Sequence, residues 1–88
     1  MPGKHQPGVP SALAFVRLKK ESVPAFVEVL RGADCVRRFL TLTGEWDGLV
    51  ELEVTSLEEL AEFASEVLGR FEGMQASNLH VVLKRWRP

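Results

Sequence analysis

Residues Cys35–Thr43 (CVRRFLTLT) and Leu49–Val54 (LVELEV) are strand-like runs separated only by Gly44, Glu45, Trp46, Asp47 and Gly48. A connection this short forces the two runs to lie side by side as an antiparallel hairpin, because parallel neighbours need a crossover of a dozen residues or more. Helical patterns flank the hairpin on both sides. Upstream, Val23, Phe26, Val27 and Leu30 fall on one stripe, with Ser22 placed as an N-cap, Pro24 in the first turn and Gly32 as the stop. Downstream, Leu57, Leu60, Ala61, Ala64, Val67, Leu68 and Phe71 hold one face, and Ser56 with Glu59 has the spacing of a capping box.

The outer runs complete the order. Ala12–Leu18 (ALAFVRL) reads as a first strand and Ser77–Trp86 (SNLHVVLKRW) as a last one. A β-α-β-β-α-β succession with right-handed crossovers gives an α+β, ferredoxin-like fold: a four-stranded antiparallel sheet with both helices on one face. Residues 1–11 hold three prolines and two glycines and read as a flexible arm, leaving 12–88 as a single domain.

Alternation along the strands sorts their side chains. Leu40, Leu42, Val50, Leu52, Val54, Leu79, Val81 and Leu83 are assigned to the helix-facing side. The other face then carries Leu13, Phe15, Arg17, Arg37, Phe39, Thr41, Leu49, Glu51, Glu53, Asn78, His80, Val82, Lys84 and Trp86. Phe15, Phe39, Val82 and Trp86 make that face too apolar to be left bare. A second copy would cover it, with Arg17 or Arg37 approaching Glu51 or Glu53 of the partner; the alternative is a C-terminal segment folded back over its own sheet. A core drawn from 88 residues is modest, which also favours self-association.

Composition excludes several classes of function. A formal charge of −1 does not suit a protein that coats nucleic acid, so no direct nucleic-acid binding is expected. No apolar run approaches the length of a membrane helix, and no signal-peptide pattern opens the chain; a cytoplasmic protein without membrane contact is expected. Cys35 alone makes neither a disulfide nor a metal knuckle and reads as a packing residue, and no ligand set or acid–base constellation suggests a metal or cofactor. His80 reads as packing or bonding within the dimer. Trp86 among Lys84, Arg85 and Arg87 reads as an anchor between subunits, with stacking on a nucleic-acid strand as the other reading.

With the elements in place, the run VRRFLTLTGEWDGLVELEV, the later GMQASNLHVVLK and a first helix ending just before the former resemble the C-terminal ligand-binding (RAM) domain of the Lrp/AsnC family of amino-acid-responsive transcription regulators. The resemblance spans Ala12 to Arg85. It implies a homodimer in which two sheets face each other as a dimeric α/β barrel, assembling further into larger homo-oligomers. It also implies a small effector, usually an amino acid, held between subunits near the hairpin loop. Carried over by position, the ligand-binding residues are Gly44, Glu45, Trp46, Asp47 and Gly48, with Ser77 and Leu79 from the last strand. Asp47 offers acceptors to an ammonium, loop N–H groups offer donors to a carboxylate, and Trp46 offers a wall. Leu79 stands where relatives usually carry a threonine, which removes a hydrogen-bonding group. The glycines and Asp47 also fit a plain turn. No helix-turn-helix precedes the module, as in stand-alone members, so partners such as full-length Lrp/AsnC regulators are expected and catalysis is not. The rival readings are a cofactor-independent monooxygenase of the same dimeric build and an ACT-type regulatory module.

Overall fold

The computed structural model describes residues 11–88. The arm assigned to residues 1–11 therefore lies outside the described residues except for Ser11, whose N–H donates to Leu52 O at 2.9 Å and whose Oγ accepts from Val54 N at 2.8 Å.

Strand β1 (Ala12–Leu18) leads through a 3₁₀ turn (Lys20–Ser22) into helix α1 (Val23–Arg31); β2 (Val36–Thr41) and β3 (Gly48–Leu52) form the hairpin; α2 (Leu57–Phe63) continues as a wider π-type turn (Ala64–Leu68) before β4 (Met74–Val81). The sheet order is β2-β3-β1-β4 with every neighbouring pair antiparallel, the ferredoxin-like arrangement expected from the sequence. The central strands β1 and β3 send Ala12, Ala14, Val16, Leu18, Val50 and Leu52 against the helices, where Phe26, Leu30, Leu60, Phe63 and Leu68 meet them. Small alanines in β1 let the helices approach, and the Phe26 ring fills the remaining space edge-on to Phe39 at 5.4 Å and tilted against Phe71 at 5.0 Å.

The two helices start differently. Ser56 Oγ accepts from Glu59 N at 3.1 Å while Glu59 Oε1 accepts from Thr55 N at 2.8 Å, so the box closes one residue outside the cap. Ser22 makes no capping bond with its side chain. The 3₁₀ turn before α1 has already brought Ser22 into helical dihedrals, where the hydroxyl cannot reach the next turn's N–H groups.

Two strand assignments change. In β2 the register slips between Val36 and Arg38, so Phe39 lies opposite Val50 and packs on the helix side. Leu40 pairs with Leu49 and takes the open face instead. One extra residue in the strand inverts every side chain that follows it. The last strand runs Met74–Val81 rather than Ser77–Trp86. Its partner β1 starts at Ala12, Val82 N makes a final bond to Ser11 O at 3.0 Å, and the residues beyond have no strand to join. They do not fold back either: Leu83 is 94% and Trp86 76% exposed.

Candidate functional site

Three bonds close on Asp47, one across the hairpin and two to the end of β1. Leu42 N donates to Asp47 O at 2.8 Å, Asp47 N donates to Val16 O at 2.9 Å, and Leu18 N donates to Asp47 Oδ2 at 2.9 Å. Asp47 is therefore a clamp between the hairpin and the strand leading into α1, a role in addition to any contact with a ligand. Gly44 turns the chain at φ +105°, a left-handed conformation that favours glycine, with open space around it. Among the described residues, the N–H groups of Gly44, Glu45 and Trp46 meet no protein acceptor, and Asp47 Oδ1 receives no donor.

Trp46 does not stand away from the body. It is half-buried against the open face of the sheet, its ring tilted at 6.2 Å from that of Phe15, while Phe15 meets His80 edge-on at 5.7 Å. Arg17 lies over the Trp46 ring at 5.0 Å from Cζ to the centroid, and its Nε donates to Glu45 O at 3.2 Å with the Glu45 carboxylate 3.6 Å away. Arg17 and Phe15 thus belong to the loop's surroundings, although the sequence places them only on the sheet face. The signal was available: both precede Leu18 on alternate positions of the strand whose end the hairpin must reach.

The remaining assigned residues are placed as follows. Gly48 is the first residue of β3 and fully packed; a Cβ there would stand 2.5 Å from Phe39 Cε1 and 3.3 Å from Leu40 O. Ser77 pairs with Val16 on the side opposite Gly48, so Gly48, Val16 and Ser77 form one row across β3, β1 and β4. Leu79, opposite Ala14, packs against the core. Ser77 and Leu79 therefore share the helix side of the sheet, whereas Trp46 covers the other side, and within one chain they do not line a common cavity with it.

The open face carries its own charges in pairs. Arg38 grips Glu51 through two bonds of 3.1 Å each, and Arg37 lies 3.7 Å from Glu53. These ion pairs form within one chain, where Arg17 is engaged by Glu45. The bidentate Glu51 contact holds the Arg38 guanidinium above its ordinary pKa. A separate groove of about 300 Å³ lies on the helix side between α2 and the loop after α1, with Ala33, Phe63 and Val67 as its floor and Asp34, Glu59, Glu62 and Glu66 at its rim. Cys35 lines it too; burial pushes its thiol up, and Glu59 adds to the shift. Among the described residues no cluster is suited to a metal ion, and no helix is long and apolar enough to cross a membrane.

Several solved structures share this fold. The chain is similar to the transcriptional regulator NMB0573 of Neisseria meningitidis, solved as a complex with L-Met, at 23% identity and a TM-score of 0.80 over 100% of this chain and 61% of that one. It resembles TTHA0845 of Thermus thermophilus at 18% identity and a TM-score of 0.78, covering 88% and 96% of the two chains. It also resembles E. coli AsnC at 17% identity and 0.76, covering 84% of this chain and 50% of AsnC. The chain thus spans about half the length of AsnC but nearly all of TTHA0845. No curated protein gives a significant match. The family model for the Lrp/AsnC ligand binding domain matches residues 11–88, the whole of the fold just described, and the chain belongs to that family.

Proposed function

We propose that this domain is an amino-acid sensor: it binds a small effector at the Gly44–Asp47 loop, between subunits of a homo-oligomer, and transmits occupancy to a transcription regulator, full-length Lrp/AsnC proteins included. It acts by binding and not by catalysis. The observation that carries this reading is the loop itself, fixed in place by Asp47 yet leaving Asp47 Oδ1 and the N–H groups of Gly44, Glu45 and Trp46 without protein partners among the described residues. A carboxylate oxygen beside unengaged N–H donors suits the two charged ends of an amino acid. The L-Met complex of the Neisseria regulator supports the choice of ligand class. In this reading the open faces of two copies meet around Phe15, Leu40, Leu49 and Trp46, and Ser77 reaches the effector from a neighbouring subunit.

Calorimetric unfolding in millimolar concentrations of each of the twenty amino acids tests the reading. An effector at ten times its Kd raises stability by about 1.4 kcal/mol, and no shift with any of them would refute sensing. Asp47→Asn is the informative variant, because the amide oxygen can still accept from Leu18 N while the charge is lost. It is expected to abolish the ligand-induced shift and to leave ligand-free stability within about 1 kcal/mol.

A further inference from the structure

Charge is distributed unevenly along this chain. The stretch from Leu57 to Glu72 holds five glutamates against one arginine, whereas from Gly73 onward there is no acidic residue and Lys84, Arg85 and Arg87 cluster near the end. That basic end carries two large apolar groups left exposed among the described residues, Leu83 at 94% and Trp86 at 76%, and Lys84 Nζ stands 4.3 Å from the centroid of the Trp86 ring. The groove beside α2 has the opposite character, an apolar floor of Ala33, Phe63 and Val67 within an acidic rim. Glu59 is occupied by Thr55 and Glu66 by Arg70, while Asp34 and Glu62 pair with no cation among the described residues.

The two features start from opposite edge strands at one end of the sheet. The basic segment leaves from the end of β4, whereas Cys35 and the loop lining the groove lead into β2, the other edge strand. Three strand spacings, about 14 Å, separate those edges. Leu83 and Trp86 stay exposed and off the chain's own groove, and a contact between two different patches of two copies is head-to-tail, which propagates into a ring or a filament.

We propose that the C-terminal segment 83–87 of one copy docks in the groove between α2 and the loop after α1 of a second copy, with Trp86 on the apolar floor and Arg87 and Lys84 at Glu62 and Asp34. This contact is separate from the open-face pairing and does not depend on effector binding. It supplies a second, heterologous interface through which dimers formed on the open face extend into larger assemblies.

Cys35 is the only cysteine in the chain and lines the groove, so Pro88→Cys, which leaves Trp86, Lys84 and Arg87 in place, converts docking into a covalent record. A disulfide needs the two Cα atoms within about 7 Å, and the reaction is run at alkaline pH because the Cys35 thiol is pushed up. Expected on oxidation are covalent dimers and higher rungs on a non-reducing gel, forming about fivefold faster than from the exposed control Gln75→Cys, the upper margin an exposed ion pair provides. Glu62→Lys or Trp86→Ala should slow the Pro88→Cys cross-link, and Arg87→Glu should restore it in Glu62→Lys. A rate no greater than the control's, or a charge exchange without rescue, overturns the proposal. A disulfide closed within one chain overturns the second copy as occupant, and suppression of the cross-link by a single-stranded oligonucleotide would assign the segment to nucleic acid instead.

Discussion

At the scale of single residues, the hairpin shows how one glycine type serves two physical needs. Gly44 is required by its backbone, with φ at +105° and free space around it, whereas Gly48 is required by its neighbours. Gly48→Ala is expected to cost about 1–3 kcal/mol in urea unfolding, since the new methyl meets the Phe39 ring and the Leu40 carbonyl. Part of that loss should return in Gly48→Ala with Phe39→Leu, because adjacent sites sharing a contact are not additive. The sequence marks both glycines as turn residues and cannot separate them, since the distinction lies in which side chain from the neighbouring strand crosses the site. Asp47 was likewise legible as a turn or ligand residue. Its bond to Leu18 N, from 29 positions away, depends on tertiary approach and leaves no local signal.

At the scale of elements, the order of the four strands and two main helices was readable, because the apolar spacing of α1 and α2 and the short hairpin leave few alternatives. What alternation could not supply was the phase of β2. Counting by twos fails at an inserted residue, and the slip between Val36 and Arg38 carries Phe39 from the open face to the core. Phe39→Ala should therefore lower stability by about 3 kcal/mol, the cost of truncating a packed ring that meets Phe26. An unchanged unfolding midpoint would return the ring to the outer surface. The end of β4 was overread for a related reason: the alternation of residues 77–86 continues past Val81, but a strand lasts only as long as its partner, and β1 begins at Ala12. The π-type turn closing α2, with Gly69 N bonded to Ala64 O at 2.8 Å, also has no counterpart in the apolar pattern.

At the scale of the whole molecule, the sheet has one face under helices and one face bearing Phe15, Trp46, Leu40, Leu49 and His80. The apolar character of that face was legible in the sequence, although two of the residues named for it, Phe39 and Trp86, lie elsewhere and Trp46 takes their place. Phe15 is the centre of the patch, touching both Trp46 and His80. Phe15→Lys is expected to weaken self-association at least about tenfold in sedimentation, as the loss of a central aromatic anchor does. A folded wild-type monomer at micromolar concentration would remove the open-face dimer from the proposed function while leaving the fold untouched.

The clamp at Asp47 gives the loop a mechanical connection that its surface position conceals. Its carboxylate holds the last amide of β1, and the chain passes from there through Lys20–Ser22 directly into α1. In the proposed function, a ligand ammonium drawing on that carboxylate would compete with the Leu18 N–H for the same negative charge. Occupancy at the rim of the sheet would then loosen the seam between strand and helix, so the message would leave the loop by the backbone and arrive beneath α1, on the side of the molecule facing away from the open sheet.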